Sequence, residues 1–166
     1  QKYVVGVYDA LFAVCVVYNA RLMLVGATAE IVNDLVGLDV EVLPWSEASE
    51  AELIGKMDIG IMPLPDGPWE KGKCGYKLIQ YMACAVPVIG SPVGVNVDII
   101  EGSKCGLLAD TLEQWIIALE TLLSSTQERK RLGNAGREAV ETKYSLQVQA
   151  PILAHTFHEI IKSDIT

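Results

Sequence analysis

Short, nearly all-apolar runs alternate along this chain with segments whose apolar residues recur at helical spacing. The runs at 3–8, 21–26, 39–43, 58–62, 87–89 and 106–108 are rich in Val, Ile and Leu. Strands buried on both faces of a parallel sheet read in this continuous way, so each run predicts a strand. Helices are predicted at 9–19, 28–36, 46–55, 75–84, 97–101, 111–124, 127–142 and 146–162. Asp9, Thr28 and Ser46 stand where N-caps belong, and Glu47 and Glu50 follow Ser46 as first-turn acids. Leu78, Ile79, Met82 and Ala83 fall on one helical face.

Alternating strands and helices with right-handed crossovers give an α/β domain with a doubly wound parallel sheet, Rossmann-like. The expected sheet has six strands in the order 3-2-1-4-5-6, with helices on both faces and the last helix packed across it. Burial of Val4, Val5, Leu24, Val25, Ile59, Ile61, Val88 and Ile89 should drive it. Ligands bind such sheets beyond the carboxyl ends of the strands, where the order reverses. That point lies between the first and fourth strands, at Tyr8 and Asp9 and at the long loop 62–75. No repeat or linker divides the 166 residues, so 1–166 reads as one domain.

Composition narrows the function. Hydrophobic residues make up 51% and charged residues 20%, which excludes a disordered chain. Thirteen basic against 21 acidic residues give a net charge of −8, which argues against a nucleic-acid partner. The apolar stretch at 3–18 is interrupted by Asp9 and is too short to span a bilayer. It also lacks the marks of a signal peptide. Cys15, Cys74, Cys84 and Cys105 form no C-x-x-C pair, and His155 and His158 are the only histidines, so zinc spacing is absent. A reducing, cytoplasmic location is expected. Cys74 reads as a packing residue at a helix start.

Against that acidic background, Lys71, Lys73 and Lys77 stand among Gly67, Gly72 and Gly75. Glycines permit close backbone approach, and the helix start near Gly75 offers free N–H groups and a positive dipole end. A diphosphate site and a solvated basic turn both fit this chemistry. Gly94, Val95 and Asn96 can add N–H groups at the next helix start, or form a capped turn. Neither G-x-G-x-x-G nor a P-loop occurs. Trp115 has helical spacing with Leu112 and Leu119 and reads as core. Trp69 sits in the long loop as a sugar contact or a lid.

The stretches DIGIMPLP (58–65), GKCGYKLIQYMACAVPVIGSPVGVN (72–96) and RLGNAGREAVE (131–141) resemble the C-terminal, donor-binding domain of GT-B nucleotide-sugar glycosyltransferases, specifically retaining glycosyltransferase family 4. The resemblance implies half of a GT-B fold that binds a UDP- or GDP-linked sugar without a metal. The other partner is an N-terminal acceptor domain, so the chain reads as a fragment of a two-domain protein. It implies that Lys73, Gly75, Lys77, Gly94 and Val95 hold the diphosphate and Gln80 the ribose. Leu43 and Trp45 would face the base, and Glu70 and Gly72 would lie near the sugar. No catalytic residue is assigned. The family's Glu-x7-Glu falls on Gly72 and Gln80, and its basic pair after the first strand has no counterpart between Val4 and Ala20. The fragment alone is therefore expected to bind but not transfer, and to self-associate through apolar patches. The alternative is a degenerate, non-catalytic nucleotide-binding or interaction module of the same fold.

Overall fold

Five of the six apolar runs are strands in the computed structural model, which describes residues 2–163. They are β1 (Arg21–Val25), β2 (Asp39–Leu43), β3 (Gly60–Met62), β4 (Val88–Gly90) and β5 (Gly106–Leu108). All pairings are parallel. β1 pairs with β2 from Arg21↔Asp39 to Val25↔Leu43. β3 pairs with β4, and β4 with β5. The sheet is thus in two pieces, β1-β2 and β3-β4-β5.

The first run is a correction to the expected strand at 3–8. It is helical, as α1 (Lys2–Val5) and the start of α2 (Tyr8–Tyr18). The Val7 N–H donates to the Val4 carbonyl at 3.1 Å, and the Leu11 N–H to Val7 at 3.1 Å. A short apolar run suits a buried helix as well as a strand, and packing decides between them. Here α2 buries Ala10, Leu11, Val14 and Cys15. Asp9 is inside the first turn rather than at the N-cap, which is Val7. The expected helix at 28–36 is a 3-10 segment, Ala29–Asp34.

Ser46 does cap α3 (Glu47–Gly55), its hydroxyl accepting from the Ser49 N–H at 3.2 Å. The long loop contains a one-turn helix, α4 (Pro68–Lys71), started by Pro68. α5 (Tyr76–Ala83) and α6 (Asn96–Ser103) follow β3 and β4. α7 (Leu112–Ser124) begins with a capping box of Thr111 and Gln114. α8 (Thr126–Ala139) runs into a π-helical turn, Val140–Tyr144, and then α9 (Leu146–Ser163).

Two cores flank the strands. Leu11, Val14, Leu35, Ile89, Trp115 and Leu122 pack between the sheet and α2 and α7. Leu78, Met82, Val88, Ile99, Ile100 and Cys105 pack beneath α5, α6 and α8. Val88 and Ile89 are fully buried, whereas Val4, Val5, Leu24, Val25, Ile59 and Ile61 are only half-buried. The difference follows from the divided sheet, because no strand covers the facing edges of β1 and β3 among the described residues. The last helix does not pack across the sheet either. Leu146, Ile152, Leu153 and Phe157 of α9 are exposed. Both sheet faces are already covered, which leaves α9 no apolar surface of the sheet to cross.

Candidate functional site

A cavity of about 320 Å³ opens at the carboxyl ends of β1 and β3. Its walls include Gly26, Trp45, Glu50, Met62, Lys73 and Lys77. The elements explain why these side chains meet. Gly26 directly follows β1, and its N–H donates to the Leu43 carbonyl at 2.9 Å. Gly26 has φ +75°, and a Cβ there would come within 3.1 Å of Trp45 Cβ. A glycine therefore lets Trp45 fold over the strand end.

The Trp45 indole Nε1 donates to Glu50 Oε1 at 2.7 Å, while 56% of the residue remains exposed. That hydrogen bond holds the Glu50 carboxyl below the usual glutamate range, against partial desolvation, with smaller help from the Gln80 amide and Lys77. Gln80 Oε1 is buried and has no hydrogen-bond partner among the described residues. An unpaired buried acceptor costs about 1–3 kcal/mol, and a hydroxyl donor would relieve it. Lys77 lies in the first turn of α5, and Lys73 lies in the loop two residues ahead of its N-cap, Gly75. Tyr81 closes the cavity floor, its ring against Gly60. Burial pushes its hydroxyl up to about 12, so it stays a neutral donor.

Of the residues expected at the site, Trp45, Lys73 and Lys77 share this cavity, and Gln80 adjoins it through Glu50. Gly75, Gly94 and Val95 form a separate cluster, where the N-termini of α5 and α6 abut. A Cβ on Gly75 would lie 2.4 Å from Ile99 Cδ1 and 3.2 Å from Val95 Cγ2. A Cβ on Gly94 would lie 2.6 Å from the Lys71 carbonyl oxygen. Both glycines serve close packing of the two loops. Asn96 fixes this junction, donating to the Ser91 carbonyl at 3.1 Å, and Ser91 Oγ accepts from the Leu64 N–H at 2.9 Å.

Glu70 is buried, and Tyr3 O–H donates to its Oε1 at 2.7 Å. This bond chiefly holds its carboxyl below the ordinary range. Gly72 is exposed at the end of α4, and Leu43 is half-buried. Trp69 is exposed.

Two residues escaped the sequence reading. Glu50 looked like a helix-start acid, yet it is the partner of Trp45. Its position five residues after Trp45 was the available signal. Lys2 precedes the apolar run at 3–8 and carries no motif. Its ammonium lies 5.0 Å from the Tyr3 ring centroid, and that of Lys73 lies 5.1 Å from the same centroid. Between Val4 and Ala20 the chain is occupied by the end of α1 and by α2, not by the exit of a strand.

The Trp45–Glu50 bond sets a pH dependence. A carboxyl lowered on folding contributes fully above its unfolded value, and the contribution is lost as pH falls through the lowered value. Acid titration of Trp45 emission should show a transition below the ordinary glutamate range. Glu50→Gln should abolish it. A transition that persists in that variant would show that Glu50 is not the partner being titrated.

A parallel α/β sheet with cations gathered beyond its strand ends defines a Rossmann-like domain, the kind that forms half of a GT-B glycosyltransferase. The chain belongs to the glycosyl transferases group 1 family, whose profile matches residues 3–125. It is 24% identical to N-acetyl-alpha-D-glucosaminyl L-malate synthase of Bacillus anthracis over 98% of this chain and 44% of that protein. It is 31% identical to spore coat protein SA of Bacillus subtilis (strain 168) over 48% of this chain and 22% of that protein. The chain thus spans less than half the length of these relatives. Among solved structures it is similar to Anabaena Alr3699/HepE in complex with UDP, with a TM-score of 0.71 and 16% identity over 92% of this chain and 44% of that one. Sucrose-phosphate synthase from Thermosynechococcus elongatus gives a TM-score of 0.69 at 18% identity, over 94% of this chain and 42% of that one. No helix among the described residues is long and apolar enough to cross a membrane.

Proposed function

We propose that this chain is the donor-binding half of a retaining, family 4 glycosyltransferase of the cytoplasm. The observation that carries the reading is the convergence of Trp45, Glu50, Lys73 and Lys77 in one cavity at the strand ends. Trp45 offers a ring face to a nucleobase beside Leu43. Gln80 and Glu50 offer acceptors to ribose hydroxyls. Lys73, Lys77 and the N–H groups at the start of α5 meet the diphosphate, with Gly94 and Val95 behind them. The donor sugar then points toward Gly72 and the α4 turn.

In transfer, the bond from the anomeric carbon to the diphosphate oxygen breaks with the electron pair left on that oxygen, while the acceptor oxygen bonds to the anomeric carbon and its proton passes to the departing diphosphate. Fixed positive charge at that oxygen stabilises the transition state, and lysines with a helix dipole supply it without a metal. The acceptor hydroxyl must be held beside the anomeric carbon, and such positioning is worth several powers of ten in rate. An N-terminal domain supplies that element in this reading, so residues 1–166 bind the donor but do not transfer its sugar. The UDP in the HepE complex supports a nucleotide ligand, of the UDP- or GDP-linked class.

Calorimetric titration with UDP, GDP and ADP tests the reading. At least one should bind, and Lys77→Ala should weaken it about ten- to a hundredfold, the range for charge-assisted hydrogen bonds. Equal affinity in that variant would make Lys77 a solvated surface residue and overturn the assignment. Gly72, with no side chain where the family has a carboxylate, favours a second reading as a binding module without transfer. Nucleotide binding by a full-length protein that transfers no sugar from any donor would decide for it.

A further inference from the structure

We propose that Tyr3 and Glu70 are positioning residues for the donor site, holding the Lys73 ammonium in its cavity through the face of the Tyr3 ring. That Lys73 meets a diphosphate rests on the reading above, whereas the contacts that hold it do not. Among the described residues Lys73 makes no ion pair, although Lys71, two residues earlier, pairs with Asp66 at 2.9 Å. Its four-carbon stem is flexible, and ordering such a stem only on binding costs affinity. What meets its ammonium is the Tyr3 ring, whose centroid lies 5.1 Å away. A ring face attracts an ammonium without taking its charge or its three N–H donors. A carboxylate in the same place would neutralise the cation and compete with an incoming anion.

Tyr3 is fixed in its turn. Its hydroxyl donates to Glu70 Oε1 at 2.7 Å, across 67 residues of sequence. Glu70 is buried in α4, and Gly67 leaves room for its other oxygen, since a Cβ there would clash with Oε2. The Lys73 N–H donates to the Glu70 carbonyl at 3.2 Å. Glu70 thus fixes Lys73 twice, by its backbone and through the ring. The bond to Glu70 chiefly pushes the Tyr3 hydroxyl above the ordinary tyrosine range, so the ring remains a neutral phenol.

Lys2 brings a second ammonium to 5.0 Å from the same centroid. Lys2 and Tyr3 line a neighbouring cavity of about 320 Å³, while Tyr3 and Lys73 line the donor cavity. Tyr3 therefore belongs to the wall that the two cavities share. Both ammonium groups help to hold the Glu70 carboxyl low, after the Tyr3 bond. Two cations against one carboxylate leave this cluster with a net positive charge, which suits an anionic ligand.

NMR of the full chain with 13C-labelled lysine gives the direct test. The ε-methylene signals of Lys73 should lie upfield of free lysine, because a ring shields what stands over its face. Tyr3→Leu should return them to the free position, and Tyr3→Phe should keep most of the shift. Calorimetry with UDP, GDP and ADP supplies the second readout. Tyr3→Leu should weaken whichever of them binds about tenfold, within the range of a partly desolvated cation–π contact. The loss should vanish in a Lys73→Ala background, because a residue acting only through Lys73 then has nothing to hold. Glu70→Ala should weaken binding as well, and Glu70→Gln, which still accepts the Tyr3 hydrogen bond, should restore it. Unmoved lysine signals in Tyr3→Leu overturn the proposal. So does an equal loss of affinity with and without Lys73, which would make Tyr3 a general support of the fold. Signals that move in a chain binding none of the three nucleotides would uphold the hold on Lys73 and overturn the nucleotide reading.

Discussion

Trp115→Ala should lower the unfolding free energy by about 3–5 kcal/mol, the cost of emptying a large aromatic site in a packed core. Trp115 is 2% exposed and lies among Leu11, Leu35, Leu119 and Leu122, where α2 and α7 meet the sheet. A small domain holds about 5–15 kcal/mol in total, so this variant should be close to unfolding. Urea denaturation of both proteins measures the difference. A loss below about 1 kcal/mol would mean that the site collapses around the smaller side chain.

Gly133→Ala should cost about 1–3 kcal/mol through overpacking, at the upper end of that range. A Cβ on Gly133 would lie 2.0 Å from the Ala85 carbonyl oxygen. That oxygen belongs to a turn held by hydrogen bonds from Ala85 to Met82 and from Val86 to Tyr81. Arg137 of α8 also donates to the Ala83 carbonyl, so the helix cannot slide away freely. Gly102→Ala is the matched control. A Cβ there meets nothing within 4 Å, and the helix should gain up to about 1 kcal/mol. Equal midpoints for the two variants would show that α8 shifts to admit the methyl group.

Where sequence pattern and packing demand agree, the elements were legible. β2 and β5 stand at the expected residues, and α3 starts at the Ser46 cap and ends at Gly55. Residues 3–8 misled because Val-rich runs signal burial without saying whether a helix or a strand is buried. Only the contact of α2 with α7 settles it. The helical spacing of α9 was legible, but its docking was not, because periodicity shows which face is apolar and not what covers it. At the site, lysines and Trp45 stood out by their rarity in acidic or apolar surroundings. Glu50 did not, since an acid in a first helical turn already has an explanation. Glu70 was chosen for its place in the loop, and no pattern in the sequence shows that Tyr3, 67 residues away, holds it.

The three tryptophans lie at three depths, with 2% of Trp115, 56% of Trp45 and 77% of Trp69 exposed. The chain therefore carries its own optical labels. Trp115 emits from an apolar interior and shifts to the red only when the core opens. Trp45 forms a wall of the cavity, so a base stacked on it dims a component that the core does not share. Trp69 stays open to a soluble quencher and marks the fully solvated limit. Occupancy and unfolding can thus be followed separately in a single emission spectrum, with no dye attached.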